Sequence, residues 1–463
     1  MKKLLLIGLL SLGFVSNSQN CVSIKSTGFP TANLGLGSIS LFGANVVWAS
    51  AASGQPLTNR RITLSTNAGE TFTPKNVTLY PNVTDNNATG IGNICGIDAS
   101  TAFLCGYPGP GTNNNGVWKT TDSGTTWTRQ NTAAFNTVGS SYTNFVHFFN
   151  ANDGVTMGDP AGGYFEVYTT INGGTNWTRV PSANLPIPRQ DLVDIEYGLN
   201  NKFIAVGNTI WFGTTYGRLI RSTDKGLTWT AFQTPVADFG GALNAPTGYS
   251  ANMTFTDDNN GAINDSEVNV DGTGFTFWRT SNGGLTWIEN AVGVPHSFDL
   301  SYIPGTTSLI NSGPTVDTAP SGTRGTAIST DNGVTWTECP DTSGSFGGII
   351  AVGSADYYFI SGFATSATVG GIWKHDGTLA SPTFSNDNAF KASPNPTTGL
   401  VALTGKNITN VIVTDVLGKQ ISTTNYVNLN EVNVDMTNFN AGMYMVKVTN
   451  TDGNTSTIKV VRR

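Results

Sequence analysis

The eight residues Thr120–Trp127, TTDSGTTW, recur five more times: STNAGETF from Ser65, TINGGTNW ending at Trp177, STDKGLTW ending at Trp229, TSNGGLTW ending at Trp287 and STDNGVTW ending at Trp336. The common form is Ser/Thr-x-Asp/Asn-x-Gly-x-Thr-Trp/Phe, with Asn67, Asp122, Asn172, Asp224, Asn282 and Asp331 at the third place and an unvarying Gly at the fifth. An Asp or Asn side chain accepts backbone hydrogen bonds inside a tight turn. Gly supplies a positive φ without steric cost, and the closing Trp carries a large ring into a neighbouring layer. Each box therefore reads as a hairpin between the third and fourth strands of a repeated unit. Half the boxes carry Asn, which serves neither as a general acid nor as a charged metal ligand. The third-place residues and Trp127, Trp177, Trp229, Trp287 and Trp336 are accordingly expected to be structural.

Successive third positions lie 49 to 58 residues apart. A period near 50 in a turn-rich chain reads as a four-stranded blade repeated around an axis. Residues 19–388 hold about seven such periods. The seventh follows the last box, where GGIWKHDG (370–377) echoes NGVWKTTDSG (115–124), Trp373 standing for Trp118, and no box remains. The ring is expected to close there. The fold class is all-β: a seven-bladed β-propeller followed by a small C-terminal β-sandwich.

Composition agrees. In 463 residues, charged side chains make up 12%, hydrophobic ones 38% and aromatics 10%, with 55 Gly. Low charge with this apolar content is not the signature of disorder. Gly, Asn, Thr and Ser favour turns and strands over helix interiors. The net charge of −6 offers no footprint for nucleic acid.

Residues 1–18 open with Lys2-Lys3, continue apolar from Leu4 to Val15 and end in Ser16-Asn17-Ser18, the pattern of a secretory signal peptide. No later apolar run reaches the length of a membrane span, so none is expected. Export permits disulfides among the four Cys. Cys95 and Cys105 sit in two short apolar stretches joined by a turn, which suggests a cross-strand bridge and leaves Cys21 for Cys339. Cys and His spacing fits no zinc pattern; no metal and no cofactor is expected.

After Asn388 the repeat stops. Alternating apolar residues such as Val411-Val413 and Tyr444-Val446-Val448 predict short strands over 389–463.

The boxes resemble the Asp-box, or BNR, repeats of bacterial sialidases, xyloglucan-cleaving glycosidases, sortilin-type receptors and photosystem II assembly factor propellers. The resemblance implies the propeller and leaves activity to the loops. The C-terminal segment is similar to the type IX secretion sorting domain of Bacteroidota. The matching residues are Pro394-Asn395-Pro396, Gly399, Asp415 with Leu417-Gly418-Lys419, Gly442-Met443-Tyr444 and Lys459-Val460. This resemblance implies the type IX machinery as partner and a secreted or outer-membrane-surface location in a Gram-negative bacterium.

Ligands are expected on the propeller face opposite the boxes. Tyr107 opens one polar stretch there, and Asp159, Asp265 and Glu267 fall in others. LPIPRQDLVDIE carries Arg189, Asp191, Asp194 and Glu196 close together. Glycoside hydrolysis needs two carboxylates flanking a sugar, and Asp159, Asp191, Asp194, Glu196, Asp265 and Glu267 are the candidates, with Arg189 beside them. A sialidase also needs an arginine triad and an Arg-Ile-Pro sequence; RRIT at Arg60–Thr63 lacks the Pro. His147 in NFVHFFN reads as a packed strand residue. The expected role is binding a carbohydrate or a surface protein, with glycoside hydrolysis as the rival.

Overall fold

The computed structural model describes residues 22–30, 35–52, 60–109, 112–137, 140–190, 195–240, 249–268, 274–315, 324–339, 346–366, 369–375, 390–415, 419–451 and 455–463. The chain divides into two compact units, Met1–Gly377 and Thr378–Arg463. The expected leader and the expected boundary at 388/389 lie outside the described residues.

The first unit holds seven four-stranded antiparallel sheets. Six run in chain order; blade two, for example, is Thr89–Gly96, Ala102–Pro108, Gly116–Thr120 and Thr128–Arg129. The seventh takes three strands from Phe346–Ser354, Tyr357–Ser366 and Val369–Lys374, and its outermost strand is Ser23–Ser26 from the start of the chain. The ring closes at the box-less blade, as the repeat implied. Glu70 of the first box reinforces the closure by bonding Lys25 of that borrowed strand at 2.7 Å and also Lys374 beside it.

Every box is the hairpin from third to fourth strand. Asp122 Oδ1 accepts the Thr125 and Thr126 amides at 3.0 and 2.9 Å, and Oδ2 accepts the Thr126 hydroxyl. Asn67 does the same with Thr71, accepting its amide at 3.0 Å and donating to its hydroxyl at 2.9 Å. Both Ser123 (φ 59°) and Gly124 (φ 84°) are left-handed. Gly124 has a second reason to lack a side chain: a Cβ would stand 2.3 Å from Ile62 of blade one. The blades stack through such contacts, with Trp48, Trp118, Trp211 and Trp373 wholly buried between them. Cations of one blade also reach the box carbonyls of the next, as Lys119 does to Gly173 at 2.7 Å and Arg221 to Gly283 at 3.2 Å.

Around the axis the innermost strands clasp one another through polar side chains. The Ser38 hydroxyl in blade one accepts the Ile94 amide, Asn93 in blade two accepts the Val146 amide and donates to its carbonyl, and Thr254 in blade five accepts the Tyr302 amide. These polar groups are buried because each is fully partnered.

The expected Cys95–Cys105 bridge does not form; both are free and buried. In the strand register Cys95 faces Phe103 while Cys105 faces Asn93. The two residues are diagonal neighbours, their Cα atoms roughly 7–8 Å apart in such a ladder, too far for a disulfide. Cys339 is disulfide-bonded; Cys21, its expected partner, lies outside the described residues.

The second unit is a curled five-stranded sheet with one core. Its long central strand Leu400–Asp415 pairs with Gln420–Asp435 along one side and with Gly442–Asn450 along part of the other. Val401, Leu403, Val446, Val448 and Val460 form the interior.

Candidate functional site

Hairpins between first and second strands share one propeller face with the boxes; links between second and third strands and between blades share the other. Asp159 ends the second strand of blade three on this loop face. Asn144 donates to its carboxylate at 2.7 Å, and its own amide bonds the Tyr142 carbonyl at 2.9 Å. Burial pushes its carboxyl up to about 7, against the Asn144 bond that favours the charged form. The Tyr142 ring stacks on Tyr107 with centroids 5.4 Å apart, and Asn200 donates to the Tyr142 hydroxyl at 3.5 Å. The Asn200 carbonyl oxygen is buried with no partner among the described residues. Thus blades two, three and four bring two stacked tyrosines, an unpaired amide oxygen and one carboxyl together.

A second acid in blade three does not join Asp159. Glu166 pairs opposite Gly158 in the ladder, so the pleat turns the two acids to opposite faces of the sheet. Glu166 is 1% exposed and bonds Ser141 at 2.5 Å and Tyr168 at 2.8 Å.

The other sequence candidates separate. Glu196 is wholly buried, held by Arg218, the Thr214 hydroxyl and the Arg189 backbone amide. Every lone pair it could offer a substrate is engaged, which removes it as a catalytic carboxylate. Arg189 itself is exposed and contributes only backbone to that contact. Asp265 is buried in blade five, accepting from Tyr249 at 2.9 Å, and burial pushes it up to about 6. Glu267 is exposed, and its amide bonds Asp265. Asp191 and Asp194 lie outside the described residues.

Sequence reasoning missed the interior of the ring. The innermost strand of blade four, Gly198–Val206, pairs regularly only from Phe203 and slips its register between Gly198 and Phe203. The loosened residues spread across the axis. Asn201, left-handed at φ 57°, donates to the Gly37 carbonyl of blade one at 3.4 Å, and Lys202 donates to the Ala251 carbonyl of blade five at 3.1 Å and to Asn252. The polar run Asn200–Lys202 inside an otherwise apolar strand was the available signal.

Fold and site together define an all-β protein of two parts, a seven-bladed propeller with an aromatic-acid group on its loop face and a separate C-terminal β unit. Residues 391–463 match the secretion system C-terminal sorting domain family, which marks an exported chain. No curated protein matches the sequence. Among solved structures, "YCF48 bound to D1 peptide" is 16% identical, covering 78% of this chain and 97% of its own at a TM-score of 0.49. An ancestral GH74 enzyme is 12% identical, covering 94% and 63% at 0.44. A Hadza microbial sialidase is 13% identical, covering 74% and 65% at 0.39. Among the described residues no helix is long and apolar enough to cross a membrane.

Proposed function

We propose that this chain is a secreted or surface-held binding protein, exported by the type IX system, whose propeller takes a glycan on the loop face at Tyr107, Tyr142 and Asp159. The observation that carries the reading is the pairing of a stacked aromatic platform with one carboxyl, while Glu166 turns away and Glu196 is sealed by Arg218. Sugar rings pack on aromatic faces, and a carboxyl with a buried amide beside it orients hydroxyl groups. The rival, a glycoside hydrolase, draws support from Asp159, since a carboxyl raised to about 7 suits a general acid. Against it, the reaction requires a second carboxylate, and among the described residues Glu166 and Glu196 are each engaged elsewhere.

Incubation of the purified chain with a polysaccharide panel separates the two. Retention without reducing-sugar release, lost in Tyr142→Ala, supports binding; sugar release abolished by Asp159→Asn supports hydrolysis. Retention of a surface protein with no glycan bound moves the ligand to the protein class. For export, deletion of residues 390–463 is expected to hold the protein in the periplasm, and normal surface delivery of the truncated chain refutes the type IX reading. Pairing of Cys21 with Cys339, on the same reading, ties the mature start of the chain to blade six.

A further inference from the structure

The channel along the propeller axis encloses a cavity of about 430 Å³ lined by the innermost strands of all seven blades. One end is bridged: Asn201 spans from blade four to Gly37 of blade one at the loop-face ends of the strands. The lining runs the other way to Thr256 and Pro304, in the hairpins of the box face. The walls between are about half apolar, with Ile39, Leu41, Phe203, Met253 and Val352 forming their apolar part.

Lys202 lies at the bridged end. Its ammonium donates to the neutral oxygens of Ala251 and Asn252 and lies 6.0 Å from the Phe298 ring centroid, and no ion pair among the described residues includes it. Asp299 is the acid nearby: it accepts the Leu300 and Ile350 amides at 2.9 and 2.8 Å and acts on Lys202 through space, without a direct ion pair to it among the described residues. Other titratable groups of the lining stay uncharged at neutral pH: burial pushes His147 down to about 4, Cys95 up to about 11 and Tyr302 up to about 12. A buried cation without a contacting counter-ion is costly, and an anion delivered with its own apolar body removes that cost. Cavities of roughly 300–1,000 Å³ hold compact small molecules.

We propose that the propeller channel is a second binding site, entered from the box face, for a small amphiphile with an anionic head seated on Lys202 and an acyl-like body along the apolar walls. It is independent of the loop-face site, so either can fail alone. The probe is decanoate, titrated calorimetrically into the full chain, with decanol as the uncharged control. Saturable binding near one per chain is expected, at least tenfold weaker for decanol and for Lys202→Met. Ala351→Phe, which narrows the channel from blade seven and leaves the Lys202 side chain in place, is expected to weaken decanoate equally; it keeps the test decisive if Lys202→Met does not fold. Tyr142→Ala leaves decanoate binding unchanged. Absence of saturable binding, or equal binding of decanoate by the parent and both channel variants, overturns the proposal.

Discussion

Asp299 Oδ2, on the innermost strand of blade six, accepts the backbone amide of Ile350 on the innermost strand of blade seven at 2.8 Å. The same device links Asn93 to Val146 and Thr254 to Tyr302. A polar side chain on one blade takes the place of a strand partner that the ring geometry withholds, so Asp299, Asn93 and Thr254 hold the ring together.

Two asparagines on the ring then respond oppositely to one substitution. Asn93 is 1% exposed with both amide atoms bonded to Val146; Asn93→Leu strands those groups and is expected to cost about 1–3 kcal/mol. Asn264 is equally buried, yet neither amide atom has a partner among the described residues. Asn264→Leu is expected to be neutral or stabilising, since it removes an unpaired polar group of similar size. Urea melts of both variants check the pair, and a destabilised Asn264→Leu shows that its amide is bonded.

The Arg218–Glu196 pair is 12% and 0% exposed at its side chains. Arg218→Met alone leaves a buried carboxylate and is expected to cost about 3–5 kcal/mol, while Glu196→Gln with Arg218→Met recovers most of it. A double-mutant cycle by chemical denaturation measures the coupling; additive losses show the pair to be unimportant.

Asp159, Asp265 and Asp299 are raised to about 7, 6 and 6 by burial. An acid raised on folding contributes stability that is full below its unfolded value and lost as pH rises through the folded one. The melting temperature is therefore expected to fall by about 2–5 °C between pH 5 and pH 8. Asp159→Asn flattens the upper part of that slope, and a curve rising with pH over this window contradicts the assignment.

Asp122 and Asn67 make equivalent turn bonds. Hydrogen bonds from Thr126 and Thr120 hold the Asp122 carboxyl well below its ordinary range, so it is ionised at neutral pH. Asp122→Asn is expected to leave the melting curve and glycan retention close to the parent's, whereas Asp122→Ala lowers the melting temperature. Loss of retention in Asp122→Asn with an unchanged melt assigns the box a ligand role.

Cys95 and Cys105 are buried, with thiols pushed up to about 11 and about 12 by desolvation. The native protein is expected to show no reactive thiol, and the unfolded, unreduced protein two. Zero thiols after unfolding means that Cys95 and Cys105 are oxidised.

The sequence by itself determined what repeats: the box turns, the blade period, the closure at the box-less blade and the sorting domain. These are local, because Asp or Asn, Gly and Trp at fixed offsets dictate a hairpin whatever surrounds it. Asp159 was legible as a candidate carboxylate in a polar stretch of the loop face, but its separation from Glu166 follows from the register of two strands. Glu196 looked chemical among Arg189, Asp191 and Asp194 until folding brought Arg218 against it. The cysteines looked bridgeable until the ladder placed them two residues out of step. Asn201 and Lys202 acquire their meaning only when blade four faces blade one across the axis and packs beside blade five. Only the tertiary structure decided these points, because burial and partner identity belong to chain segments far apart in sequence, and a period of about fifty residues fixes where blades begin without fixing what meets at the centre.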